Sequence, residues 1–170
     1  MSRTYYAVRY LLDGKIRFLI WHTDDEVDGV FVGENGTVSV FKTLPELISY
    51  AQAHTLSPLE VGNQHFHNLD VVRDWLKRKR PGQINCESFL SAWNLLGDVS
   101  ASVSGGFDPD RDRTRKIYRK LFWGSNLPVV TPPGKHFVPL WSGAEVVIMR
   151  DVLGAGLSLF REYARLRPEP

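Results

Sequence analysis

Three short segments hold the side chains best suited to chemistry. His65-Phe66-His67 spaces two imidazoles at i and i+2, so extended backbone would put both on one side. Asp70 or Asp74 could then complete the two-histidine, one-carboxylate set that suits a transition metal. No third ligand stands at a fixed spacing. The pair therefore reads as polar loop residues, and no metal is expected. His22 is followed by Asp24, Asp25, Glu26 and Asp28. A histidine among carboxylates has a stabilised imidazolium and could serve as a general base, but a solvated connection between strands collects such charges anyway. The same carboxylates make a concentrated negative field suited to a basic partner. Asp24, Asp25, Glu26 and Asp28, with Glu34 at the neighbouring turn, are accordingly the expected partner-binding residues.

Covalent catalysis finds little support. Cys86 falls on the apolar stripe of its segment, where a cysteine is usually a small inert hydrophobe. The chain lacks a Gly-x-Ser-x-Gly elbow, a phosphate-binding P-loop and a dinucleotide fingerprint. No catalytic residue and no cofactor are expected, and a non-enzymatic role follows. Two basic runs, Lys77 to Arg80 and Arg111 to Lys116 with Arg119 and Lys120, could neutralise phosphates. The second alternates with Asp108, Asp110 and Asp112, which reads as the solvated face of a helix. The aromatic residues fall mostly on stripes expected to be buried, not on an exposed stacking platform. A nucleic-acid-associated accessory protein using the basic part of the chain is thus the alternative reading.

These segments need a scaffold, and its strands come first. Tyr5–Leu12 and Lys15–Trp21 flank Asp13-Gly14, a dipeptide suited to a type I′ hairpin turn. That register sets Leu11 opposite Ile16, Arg9 opposite Phe18 and Ala7 opposite Ile20. A second hairpin is predicted from 29–33 and 37–41 around Asn35-Gly36, giving a four-stranded antiparallel meander. Helices follow. Thr43 and Glu46 have capping-box spacing ahead of Leu44, Leu47, Ile48 and Ala51. Residues 57–66 read as a loop. A second helix is predicted over 69–78 with Asn68 as cap, and a third over 86–104 burying Phe89, Leu90, Trp93 and Leu96. A fourth runs from the Asp108-Pro109 cap to Phe122. Residues 123–141 should be an ordered, irregular, proline-bearing loop. Ser142 and Glu145 then cap a long terminal helix ended by Pro168. The fold class is α+β: a strand-rich part (1–42) and about five helices (43–170) in one domain, the helices expected on one sheet face.

Composition agrees. With 170 residues, 43% hydrophobic and 12% aromatic, the chain can bury a core without metal or disulfide. One cysteine allows no intrachain disulfide. The first ten residues show no secretory apolar stretch, so the expected location is the cytoplasm. Net charge is +2 but unevenly spread. Residues 1–60 carry five Lys/Arg against eight Asp/Glu (−3), and residues 61–170 carry sixteen against eleven (+5). Such polarity bears on partners, not on fold.

Lys120-Leu-Phe-Trp-Gly-Ser-Asn-Leu-Pro128, Pro139-Leu-Trp-Ser142 and the terminal helix, with the Tyr-Ala-Val-Arg-Tyr opening and Ala92-Trp-Asn-Leu-Leu96, give the chain a loose resemblance. It resembles immunity proteins of bacterial contact-dependent growth inhibition and polymorphic toxin systems. The resemblance implies a cytoplasmic protein that binds and blocks one cognate toxin domain, often a nuclease. It transfers no residue roles.

Overall fold

The computed structural model describes residues 3–24, 26–62, 65–103 and 112–167. Its centre is the predicted hairpin, β1 (Thr4–Leu12) and β2 (Lys15–Thr23), in the predicted register. Asp13 (φ 53°) and Gly14 (φ 70°) both take the left-handed backbone that a type I′ turn demands. Asp70 clamps that turn from outside, accepting the N–H groups of Asp13 (2.7 Å) and Gly14 (2.9 Å).

The fold is α+β with five helices, as expected, but the sheet is wider than a four-stranded meander and is mixed. Its strand path is β5 (Leu59–Glu60), β1, β2, β4 (Val38–Phe41), β7 (Ala164–Leu166), with β3 (Asp28–Val30) also on β2 and β6 (Phe66–Asn68) also on β1. β3 (Asp28–Val30) and β4 (Val38–Phe41) do not form a sheet hairpin. Both run antiparallel to β2, Trp21 facing Val30 and Phe18 facing Phe41, so they lie end to end along one edge. Residues between them leave the sheet as a small excursion, closed by the Val32–Val38 bridge and by Gly33 N–H bonding to the Thr37 carbonyl. The Asn35-Gly36 signal is therefore real, but it turns a loop tip and not a strand pair.

The segment read as a loop over 57–66 supplies two short strands. β5 (Leu59–Glu60) and β6 (Phe66–Asn68) each pair parallel to β1. The last strand, β7 (Ala164–Leu166), pairs parallel to β4. These edge pieces are only two or three residues long, too short to carry a periodicity.

Both faces of the β1–β2 hairpin are apolar, and each needs cover. Helix α1 (Leu44–Ala53) packs Leu47 and Ala51 against Ala7, Ile20 and Phe41 on one face. On the other, Val8, Tyr10, Leu19, Val30, Val38 and Val40 meet α2 (Leu69–Lys77), α3 (Cys86–Ser102), α4 (Asp112–Gly124) and α5 (Gly143–Tyr163). The helices thus occupy two faces and not one, because the face bearing Ala7 and Ile20 is as apolar as its opposite. Trp93, Phe89, Leu96, Met149 and Phe160 are the large residues at the centre of the main layer.

Caps explain most helix starts. The Thr43 hydroxyl accepts the Glu46 N–H, while the Glu46 carboxylate takes the N–H of Lys42. Ser142 and Glu145 form the full reciprocal box. Asn85, not anticipated, caps α3 by accepting the Ser88 N–H at 2.9 Å. Asn68 makes no side-chain cap, because it is the last residue of β6. The expected start of α4 at 108–109 lies outside the described residues. α5 ends at Tyr163, before Pro168, where the chain extends to join the sheet.

Candidate functional site

A cleft of about 410 Å³ opens where the hairpin, β6, α3 and α4 meet. Val8 and Trp21 of the hairpin line it. β6 and the residue before it bring His65 and His67, α3 brings Asn94, Leu95 and Asp98, α4 brings Tyr118, and β3 opens with Asp28. The site is held by specific local chemistry. The Trp21 indole N–H bonds to Asp98 Oδ2 at 2.9 Å, fixing β2 to α3. Ser102, one turn on from Asp98, donates to the Asp98 carbonyl (2.7 Å) and accepts the Val30 N–H (2.9 Å). That contact draws β3, and with it Asp28, against the end of α3. Gly29 permits the approach, since a Cβ there would sit 2.7 Å from Ser102 Oγ.

Electrostatics sharpen the picture. Burial pushes the Asp98 carboxyl above the usual range. The Trp21 hydrogen bond opposes that shift, and the nearby Asp28 charge adds to it. Burial drives the pKa of His67 the other way, below the usual histidine range. The backbone of Ser91 counters this in part, and the charge of His65 adds to it. His67 Nδ1 lies 3.0 Å from the Ser91 carbonyl and 2.8 Å from its hydroxyl. Tyr118 donates its hydroxyl proton to Asn94 Oδ1 at 3.1 Å.

The predicted residues fare unequally. His65 and His67 do share one side, and both line the cleft. Asp70, their supposed third ligand, is spent on the hairpin turn and on Arg73 at 2.7 Å, and Asp74 pairs with Arg73 at 2.8 Å. Among the described residues, no group of three His, Cys, Asp or Glu is arranged to hold a metal. His22 is buried on β2, edge-on to Tyr5, and burial, reinforced by Arg3, lowers its pKa. It is absent from the cleft and poorly placed as a solvent-facing base. Cys86 is buried, and that burial pushes its thiol up.

Of the acidic set, Asp24 shapes its own loop. Its Oδ1 accepts the N–H groups of Val27 (2.8 Å) and Glu26 (3.1 Å), and its Oδ2 pairs with Arg3 at 3.2 Å. Those two backbone bonds, then Arg3, hold its carboxyl below the usual range. Glu26 and Glu34 are exposed, and Asp28 lines the cleft. Asp25 lies outside the described residues. Asp98, Trp21, Asn94 and Tyr118 were not singled out from sequence. The available signal was Asp98, a carboxylate set between the apolar positions Leu95 and Val99 of the helix.

A second surface lies along residues 123–141. Past Gly124, where α4 ends, the segment is irregular, as expected, and side chains tie it down. Asn126 bonds both ways to the Phe137 backbone (2.7 and 2.9 Å), and Lys120 Nζ reaches the Leu140 carbonyl (2.8 Å) and the Glu145 carboxylate. Gly124 lets α4 close against the start of α3 and the loop, since a Cβ there would lie 2.6 Å from Cys86 Sγ and 2.9 Å from Pro139 Cγ. Most of the aromatics are buried or half-buried, as expected, but Trp123 and Phe137 are each 45% exposed. They line a shallow cavity of about 270 Å³ with Lys116, Arg119, Lys120 and Glu145.

No protein family matches the chain, and no curated protein does. Among solved structures, the C-terminal domain of SatS, determined in complex with bromine, is similar. The TM-score is 0.52 at 15% identity, covering 96% of this chain and 94% of that one. At that identity the likeness is one of fold. Among the described residues, no helix is long and apolar enough to cross a membrane.

Proposed function

We propose that the chain is a non-enzymatic, cytoplasmic immunity protein that binds a cognate toxin domain, most simply a nuclease, and blocks it. The observation that carries this reading is the cleft, whose lining brings the carboxylates of Asp28 and Asp98 to one opening with no lysine or arginine among the lining side chains described. A nuclease must present cationic groups to phosphates, and an inhibitor with a preformed anionic concavity answers that surface directly. The resemblance to immunity proteins of polymorphic toxin systems supplies the role. The net charge of +2 is no obstacle, because the carboxylates are gathered locally. Replacing Asp24, Asp25 and Asp28 with Asn should weaken toxin binding by roughly tenfold or more, and the loss should shrink at high salt. Unchanged affinity and protection would remove the acidic surface from the interface.

One observation favours a second reading, single-stranded nucleic-acid binding. Trp123 and Phe137 are exposed beside Lys116 and Arg119, a stacking platform next to cations. Fluorescence anisotropy with labelled single-stranded RNA separates the two: salt-sensitive binding lost in Trp123→Ala supports this reading, and no binding removes it.

A further inference from the structure

We propose that the cleft is a receptor for a guanidinium group, the head of an arginine side chain carried by the partner protein. This rests on the partner-binding reading above and supplies its chemical contact. The basis is an imbalance of donors and acceptors. Asp98 uses Oδ2 for the Trp21 indole, and among the described residues no donor reaches its other oxygen. Asp28 adds a second carboxylate that makes no ion pair among those residues. His67 Nδ1 is taken up by the carbonyl and the hydroxyl of Ser91. Tyr118 spends its one proton on Asn94, and its oxygen can then accept. No lysine or arginine is among the lining side chains described.

A ligand for such a space must donate several hydrogen bonds and carry positive charge. An anion would face two carboxylates. An ammonium would bring three donors, but it is compact and strongly hydrated. A guanidinium brings five donors in a plane, loses its hydration more easily, and packs its flat faces against aromatic rings. Trp21 and Tyr118 are the aromatic side chains of the cleft. The raised Asp98 carboxyl is consistent, because an incoming cation would relieve a charge that burial now disfavours.

The test needs no toxin. Nitrogen-15-labelled protein is titrated with N-acetyl-arginine methylamide, with its neutral citrulline analogue and with free arginine. The readout is the Trp21 indole N–H signal, assigned through Trp21→Phe. The capped arginine should move that signal saturably at millimolar concentration, and Asp98→Asn should weaken the response by about tenfold, the scale of one charge-assisted hydrogen bond. Asn at 98 can still accept the Trp21 bond, and an otherwise unchanged spectrum verifies its fold. Three results would each overturn the proposal: no response to capped arginine, an equal response to citrulline, or an undiminished response in Asp98→Asn. Free arginine binding more tightly than the capped form would also overturn it, in favour of a metabolite site. A positive titration without toxin binding sinks the immunity reading alone; toxin binding without an arginine response sinks this inference alone.

Discussion

Trp93→Ala removes the largest of the fully buried side chains, on the helix that presents Asn94, Leu95 and Asp98 to the cleft. The indole is 2% exposed and meets the Tyr118 ring edge-on at 6.3 Å between centroids. A buried tryptophan covers about 200 Å², and at about 25 cal/mol per Å² this corresponds to about 5 kcal/mol. Alanine keeps a fraction of that burial, and a compact unfolded chain lowers the figure further. The cavity left behind, which a sheet-backed helix cannot collapse into, acts in the opposite sense. The expected cost is about 3–5 kcal/mol, in line with other large core truncations. For a chain of this length, that is a drop in melting temperature of about 6–20 °C. Thermal unfolding followed by circular dichroism measures it, with Trp123→Ala as internal comparison. Trp123 is nearly half exposed, so its truncation should cost less than about 1 kcal/mol, within the range of surface changes. Equal melting temperatures for the two variants would refute the assignment of the α3 face and with it the placement of the cleft wall.

The remaining predictions concern charge and capping. Burial raises the folded-state pKa of Asp98, so the folded chain holds that proton more tightly than the unfolded one, and this group's contribution to stability falls as pH rises through the folded pKa. Asp98→Asn should therefore melt above wild type at pH 7, with the gap closing as pH falls toward the unfolded value of 3.8; melting curves across that window check it, and a gap that widens in acid would contradict it. Ser142→Ala breaks the reciprocal cap of α5, whose Ser142 Oγ accepts the Glu145 N–H at 3.2 Å, and should lower stability by about 1 kcal/mol. Calorimetry showing no change would mean that the Lys120–Glu145 pair alone holds that helix start.

The hairpin and the helices were legible because their signals are local. Asp13-Gly14 dictated its turn, and apolar residues at helical spacing marked Leu47, Phe89, Trp93 and Met149 as core. The edge strands β5, β6 and β7 were not legible. Each is two or three residues long and owes its conformation to β1 or β4, a partner distant in sequence. The β3–β4 pair misled because Asn35-Gly36 specifies a turn without specifying which strands meet beyond it. The candidate site was half visible. Asp28 and the two cleft histidines lie in polar segments that attract notice, whereas Trp21 and Asp98 sit among apolar positions, Tyr118 sits inside a basic run, and the three come together only through the packing of α3 and α4 on the hairpin. Their convergence is a tertiary fact.

Coexpression with the C-terminal domain of any large secreted toxin whose gene proves to adjoin this one tests the central claim most directly. The account predicts that growth, arrested by the domain alone, is restored by the wild-type chain, that the two copurify in equal amounts, and that the Asp24, Asp25 and Asp28 to Asn variant protects poorly. Growth arrest unrelieved by the wild-type chain, with no complex recovered, would contradict it.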